Sequence, residues 1–380
     1  MGLLEVQHLV KYPPFEAHRL VASELPISKN NEILADDIDL QQALEIVSKS
    51  IPSFKIGEKS SWLIERRYLF DGDTIKHEVY DYGVEDDSEW PIIVEKQRRG
   101  WYLTPHPIHA TARRFINRVV YVLLLSLLYL FIEPLLHSIG IPGIGTETVR
   151  IGLLDYPLLA LVVVPLFFIP LGLRVAANFS DLQKQKRFLS DRPLIPEIEI
   201  IGDATADKNL KLEVKFEKIY DNWKSISVYW RVGALPPARD AVFSALNRTI
   251  EGQPPPGLTT KLPHHWEVGL DDGTGAGEDS PMQRQGVRGG LFLRPMRVMQ
   301  SGGKVEHSEG EIVLNNPQNS WPGTTITPLV RIHWEIIVQI ERENEGPLLW
   351  VEPLRVKHSS EHVEQKTLMV NDGRTESNII

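Results

Sequence analysis

A glycine-rich stretch, Gly273-Thr-Gly-Ala-Gly277, is the first segment whose residue types could bind a ligand. Such glycines cradle a phosphate when a buried strand precedes them and a helix follows. Here four carboxylates surround the glycines and would repel a phosphate: Asp271, Asp272, Glu278 and Asp279. Their spacing also lacks the twelve-residue ligand pattern of a calcium loop. The sequence therefore favours a flexible loop over a phosphate or calcium site.

The histidines His264, His265 and His333 are candidate metal ligands, because imidazole suits zinc, copper and nickel. Adjacent residues of a strand point to opposite faces, however, so His264 and His265 cannot easily share one ion. The pattern favours ordinary histidines, and we assign no metal site.

Composition excludes further classes of chemistry. The chain of 380 residues has no cysteine, which removes disulfides, thiolate zinc sites, iron–sulfur clusters and cysteine nucleophiles. Its 41 basic and 50 acidic residues give a net charge of -9, which argues against a nucleic-acid partner. Neither a nucleophile elbow nor an HExxH motif nor a Walker lysine is found, so no catalytic residue or cofactor is assigned.

Two apolar segments, about 118–139 and 153–174, predict a transmembrane hairpin within residues 116–178. About 20 apolar residues cross a bilayer core, and neither segment has an amphipathic stripe. The alternative is a pair of buried core helices in a soluble protein. Pro165 and Pro170 are expected to kink or locally unwind the second helix.

Basic residues flank both apolar segments, whereas the short connection from Gly140 to Arg150 contains a single basic residue, Arg150. By the positive-inside rule, both termini are expected in the cytoplasm. The flanking residues could also attract anionic lipids, although topology alone explains them. The membrane-flanking basic residues are Arg98, Arg99, Arg113, Arg114, Arg118, Arg174, Lys184, Lys186 and Arg187.

Other polar residues lie close to these segments. Glu133, His137 and Asp155 resemble an ion pathway in composition, but the two carboxylates fall near the outer interface, where they are tolerated. His106 and His109 follow Trp101 and Tyr102, and the four residues could form an interfacial belt.

Residues 1–115 predict a small α+β part. Asp39 and Gln42 form a capping box at the start of a helix, and residues 62–82 predict a β-hairpin with its turn at Asp71–Thr74. Trp101–Leu103 could add a strand. We expect these strands to pack on, or extend, the sheets of the C-terminal part.

Residues 190–356 predict an antiparallel β-sandwich with a short helix around Ala238–Leu246. Leu210, Leu212 and Val214 alternate with charged residues, as in a half-buried strand. A long strand at 331–340 alternates likewise, with Trp334 on its core face, and is expected to pair with Leu348–Val351. Residues 357–380 are polar and predict a flexible tail.

The stretch Trp321–Ile340, followed by Pro347–Val356, resembles the closing strands of arrestin-like sandwiches. That resemblance covers about 35 residues and implies a lobe that binds partners rather than a catalyst.

The fold class expected is therefore an α+β membrane protein with a two-helix transmembrane hairpin, a small N-terminal α+β part and a C-terminal β-sandwich. The leading hypothesis is a non-enzymatic scaffold or accessory subunit of a membrane complex, with membrane lipids and other proteins as partners. The alternatives are a membrane-bound enzyme with its site in or between the soluble parts, and a subunit of a transport system.

Overall fold

The protein is a mixed α+β structure that forms two compact units. The first, here the sheet unit, joins Met1–Thr104 with Pro193–Ile379, and the second, the helical unit, comprises Pro105–Arg192. The computed structural model describes residues 1–14, 20–75, 98–143, 145, 147–249, 255, 292–293, 295–359, 362–366 and 368–370.

The first sheet combines strands from both ends of the chain. In the described residues its strand order is β18-β3-β4-β1-β2, with β5 paired to β4. The strands are β1 (Gly2–Lys11), β2 (Ser28–Ile38), β3 (Phe54–Gly57), β4 (Leu63–Phe70), β5 (Asp73–Thr74) and β18 (Val363–Gln365). A 3-10 helix at Ala22–Glu24 precedes β2. Helix α1 (Leu40–Ser48) buries Ala43 and Val47 against this sheet.

The second sheet has the order β12-β11-β16-β17-β6, with β13 on β11 and β15 on β16. Its strands are β6 (Gly100–Leu103), β11 (Trp223–Ala234), β12 (Val298–Ser301), β13 (Val305–Glu306), β15 (Thr325–Ile326), β16 (Arg331–Arg342) and β17 (Leu348–Leu354). A smaller sheet has the order β14-β10-β9, from β9 (Glu197–Ile200), β10 (Leu210–Lys215) and β14 (Glu311–Leu314).

The helical unit contains two long helices, α2 (Ile108–Ser138) and α3 (Leu158–Ser190). Between them lies a two-stranded ribbon of β7 (Thr148–Ile151) and β8 (Leu154–Pro157). The second helix therefore begins at Leu158, five residues later than the predicted segment 153–174. It continues as a helix over Pro165 and Pro170, so the chain does not unwind at either proline. The fixed φ of proline suits a helix, and the lost N–H donor need not break the remaining turns.

The capping box and the hairpin turn predicted for the N-terminal part are both present, although Asp73 and Thr74 belong to strand β5 rather than to the turn. Asp39 accepts a 2.8 Å hydrogen bond from the backbone N–H of Gln42, whose side chain accepts one of 3.0 Å in return, which confirms the capping box. The hairpin turn is tight, because Asp71 and Gly72 have φ of +50° and +87°. This pair suits the twist of the flanking strands, as type I′ turns do. The rest of the expected second strand lies outside the described residues.

The C-terminal strands also follow the predicted alternation. Leu210, Leu212 and Val214 are buried while Lys211 and Lys215 are exposed. A short helix, α4 (Arg239–Ala245), lies at the predicted position. Strand β16 pairs with β17 and with β11 in antiparallel register.

One alternation was misjudged. The alternation along β16 predicts that His333 and Glu335, out of phase with Trp334, lie on a polar face, yet both are fully buried. A period of two separates the faces of a strand but does not show whether the second face is covered. Here the second face is covered, and its charged groups are paired inside the protein.

Strands from the N-terminal part extend the C-terminal sheet, as expected. Gly100–Leu103 pairs with Leu348–Val351, at the end of the second sheet. In the other direction, Val363–Gln365 pairs in parallel with Phe54–Ile56, and Lys55 contacts Glu364 at 2.9 Å. This part of residues 357–380 is thus a strand rather than a flexible tail, because Val363 is buried when it pairs with β3.

We predict that Trp334→Ala destabilises the sheet unit far more than Gln339→Ala. Trp334 is fully buried, packs at a tilt against Trp230 with ring centroids 4.7 Å apart, and donates a 3.0 Å hydrogen bond to the Pro322 carbonyl. Truncating such a side chain costs about 3–5 kcal/mol. Denaturant midpoints of the purified full chain measure the difference. Equal midpoints for the two variants would show that the register of β16 is wrong.

Candidate functional site

The helical unit exposes its apolar surface. The segments Arg118–Ser138 and Leu158–Ser190 are long and apolar enough to cross a membrane, and only 6% and 12% of their most apolar windows is buried. Leu125, Phe131 and Phe168 are each more than half exposed. Buried core helices of a soluble protein would have most of this surface covered.

Seven of the membrane-flanking basic residues belong to these two helices. Arg118 on α2 is exposed, as are Arg174, Lys186 and Arg187 on α3, and Lys184 is partly buried. The backbone of Arg113 and Arg114 belongs to α2, but their side chains lie outside the described part.

The other two membrane-flanking candidates belong to the sheet unit and have partners there. Arg98 is buried and forms a two-pronged contact with Glu335, at 3.0 Å from Nε and 2.8 Å from Nη2. Arg99 contacts Glu352 at 3.0 Å. A charge count groups both with the membrane-flanking residues, but Arg98 is buried and paired within the sheet unit.

Asp181, in the C-terminal third of α3, links that helix to the beginning of α2. This nearly buried carboxylate on α3 accepts a hydrogen bond of 3.0 Å from the His106 backbone N–H and lies 2.8 Å from Nε2 of His109. Burial and, next, the charge of Lys184 lower the pKa of His106, so its ring is neutral. Its Nδ1 accepts the N–H of Ile108 at 3.2 Å and caps the first turn of α2.

The two aromatic residues considered for an interfacial belt have packing partners in the second sheet. Trp101 and Tyr102 lie in strand β6 of the sheet unit. Trp101 is nearly buried and packs edge-on against Trp350, with ring centroids 5.2 Å apart. Both aromatic residues therefore serve the packing of the second sheet.

A buried charge cluster lies in the second sheet, at residues that sequence pattern alone did not bring together. Both carboxylate oxygens of Glu335 accept hydrogen bonds from Arg98, and Oε1 also accepts one of 2.7 Å from Arg231 Nε. His333 Nε2 lies 3.2 Å from Oε2 of the same carboxylate. All four side chains are at most 9% exposed. Because Arg231 and Glu335 face each other on β11 and β16, a charged pair at matching positions of two apolar strands was the available clue.

The protonation states of Glu335 and His333 in this cluster do not change near neutral pH. Burial raises the pKa of Glu335, but the charges of Arg98 and Arg231, with the contact from His333, hold that pKa well below its usual range. Burial lowers the pKa of His333 more than Glu335 raises it, so the ring is neutral. A permanently ionised carboxylate between two guanidinium groups is a structural arrangement, since it offers no group that gains or loses a proton near neutral pH.

A second buried polar contact lies in the first sheet. Arg66 Nη1 approaches His8 Nε2 at 2.8 Å, and Arg66 Nη2 donates to Tyr68 Oη at 3.2 Å. Burial, followed by the Arg66 charge, lowers the pKa of His8 to about 3. His8 therefore accepts from Arg66 as a neutral ring.

The remaining candidates do not assemble into a site. His264, His265 and Gly273–Gly277 lie outside the described residues, and no metal-binding cluster of three or more His, Asp or Glu is found in the described part of the chain. Asp155 is exposed on β8, apart from the helix that carries Glu133 and His137. The pocket beside Lys11, Tyr12 and Ser28 holds about 10 Å³, room for one water molecule.

Comparison with protein-family models finds no match, and neither does comparison with curated protein sequences. The resemblance of residues 321–356 to arrestin-like sandwiches thus stays a resemblance of strand pattern. The structure itself defines the class: a mixed α+β protein with β-sheets and two helices long and apolar enough to cross a membrane.

We predict that Glu335→Gln is strongly destabilising, whereas Glu352→Gln is nearly neutral. Both carboxylates pair with neighbouring arginines, but Glu335 is fully buried and Arg99 is 44% exposed beside Glu352. Removing one partner of a buried ion pair costs about 3–5 kcal/mol, while an exposed pair contributes about 0–1 kcal/mol. Denaturant unfolding at neutral pH compares them. Similar losses for both variants would contradict the assignment of the cluster as internal.

We also predict that His8 makes the sheet unit sensitive to acid. Its pKa is lower in the folded chain, so the unfolded chain binds the proton more tightly, and stability falls as the pH drops from about 6.5 to about 3. In this window the loss attributable to His8 is about 1.4 kcal/mol per pH unit. The neutral variant His8→Gln keeps an acceptor for Arg66.

The test compares unfolding free energies at pH 7.5 and 5.5 for the wild type and His8→Gln. The variant should lose about 1.4 kcal/mol less than the wild type between these values. An identical loss would mean that His8 titrates normally in the folded chain.

Proposed function

We propose that this protein is anchored in a membrane by α2 and α3, with both termini in the cytoplasm, and that its sheet unit binds a protein partner. The observation that carries the anchoring is the uncovered apolar surface of the two helices. Each is long enough for a ~30 Å hydrocarbon core, since 20 residues of helix span about 30 Å.

Strand pairing supports a hairpin rather than a single crossing. Residues before α2 pair with residues after α3, at Gly100–Leu103 with Leu348–Val351. A sheet cannot form across a bilayer, so the chain must return to the side from which it left. Two crossings satisfy this requirement, and one does not.

The charge distribution supports the orientation. Arg118 is the first residue of the first apolar segment and Arg174 the last residue of the second, and both are exposed. The connection between the two segments holds Arg150 as its only basic residue. Basic residues remain in the cytoplasm during insertion. Lys186 and Arg187 add exposed positive charge beyond the span, where anionic headgroups attract each such residue by about 1 kcal/mol.

A sheet edge with no partner strand among the described residues supports partner binding. Strand β2 ends the first sheet in the described residues, and its side chains from Lys29 to Leu34 are exposed. Ile33 and Leu34 are 62% and 37% exposed. Such an edge accepts an extended segment of another protein as an added strand. In this proposal the protein acts as a scaffold or accessory subunit, and the sheets of residues 190–356 form a β-sandwich.

The topology is tested with protease-cleavable tags in intact, right-side-out cells. Tags at the two termini should survive external protease, and the same tag inserted after Gly140 should be cut. Cutting of either terminal tag, with the cells intact, would overturn the orientation. Survival of the Gly140 tag would instead argue against the crossing.

Partner binding is tested by charge substitution at the edge. Proteins that accompany the wild-type chain from its native membrane should be lost with Ile33→Lys. They should be retained with Val313→Lys, which changes a 42% exposed residue of another strand. Equal recovery with both variants would exclude β2 as the binding edge.

A further inference from the structure

The ribbon between the two long helices is amphipathic. Val149 lies opposite Tyr156 and Ile151 opposite Leu154 in its antiparallel register. Residues directly opposite each other project to the same face of a two-stranded ribbon. Four apolar side chains therefore share one face. The charged residues Arg150 and Asp155 lie opposite each other and take the other face.

The apolar face and the turn are uncovered. Ile151 and Leu154 are 53% and 60% exposed, and Leu153 at the turn is 93% exposed. Gly152 has a φ of +64°, the conformation that a tight two-residue turn with glycine first requires. The turn thus holds Leu153 at the outermost point of the ribbon.

The ribbon is firmly attached to the helix that follows it. The backbone N–H of Leu158 donates to the Glu147 carbonyl, and that of Leu159 to the Gly145 carbonyl, each at 2.8 Å. A two-stranded ribbon is marginally stable alone in water, so an apolar face of this kind needs a cover.

We propose that a lipid surface provides this cover: the ribbon lies at the boundary between headgroups and hydrocarbon of the leaflet opposite the cytoplasm. The inference rests on the proposed membrane anchoring. From Arg118 to Ser138 the helix rises about 30 Å, one hydrocarbon thickness, which places the ribbon where the hydrocarbon ends.

Continuity with the helix identifies lipid as the occupant. The exposed apolar side chains of the ribbon continue directly into Leu158 and Val162 of α3, which are 41% and 58% exposed. The lipid that covers the exposed side chains of α3 therefore also covers the apolar face of the ribbon. Arg150 and Asp155, on the other face, are directed to water. Aromatic side chains such as Tyr156 favour this interfacial depth.

The absence of cysteine makes the test clean, because any introduced cysteine is the sole labelling site. The full chain carries Leu153→Cys, the second apolar-face probe Ile151→Cys, or the polar-face control Arg150→Cys, each labelled with an environment-sensitive fluorophore. Leu128→Cys, at a 53% exposed position within α2, reports the crossing itself. The samples are phosphatidylcholine nanodiscs, in which both faces meet the solvent.

Labels at positions 153 and 151 should be quenched by nitroxides near the lipid headgroup and be several-fold less accessible to an aqueous quencher than the label at position 150. The inference is overturned if the three labels are equally accessible to water. It is also overturned if the label at position 153 becomes accessible to the aqueous quencher when the ratio of lipid to protein is raised. A second copy of the chain, rather than lipid, would then cover the ribbon.

The position 128 control separates this inference from the proposed anchoring. If its label is quenched by nitroxides deep in the acyl chains while the label at 153 is open to water, the helices cross and the ribbon proposal alone fails. If deep quenching at 128 is absent, the anchoring itself fails.

Discussion

Backbone hydrogen bonds between Gly100–Leu103 and Leu348–Val351 join the chain before the two long helices to the chain after them. The sheet unit depends on this pairing, because its residues come from two segments separated by the whole helical unit. Arg98 strengthens the junction next to β6, where it reaches Glu335 on β16. The parallel pairing of β18 with β3 repeats the same principle in the first sheet. A chain closed in this way constrains any membrane passage to an even number of crossings.

The parts of the fold that the sequence predicts are those set by neighbouring residues. The capping box at Asp39, the turn at Asp71 and the alternation of Leu210 with Lys211 each depend on a few adjacent side chains. The two apolar helices are equally local, since length and composition suffice to recognise them. Only their boundaries differ, because the ribbon takes residues 154–157 from the second segment.

The misjudged parts depend on residues far apart in the chain. Nothing near Glu335 indicates that Arg98, 237 residues away, covers its face of β16. Polarity suggests a free tail at 357–380, whereas Val363 is buried through a partner strand 309 residues earlier. Among the candidate site residues, Arg98 and Arg118 look alike in a charge count. Burial and partners distinguish them, and both are properties of the folded chain.

The split origin of the sheet unit also orders the events of synthesis. Strand β6 leaves the ribosome roughly 250 residues before its partner β17. At about 5–20 residues per second, that interval is about 12–50 s, during which β6 lacks β17. Helices α2 and α3 emerge within this interval, so they can reach a bilayer while the second sheet is still open. Slow translation beyond Ser190 would therefore lengthen the time for which β6 lacks β17.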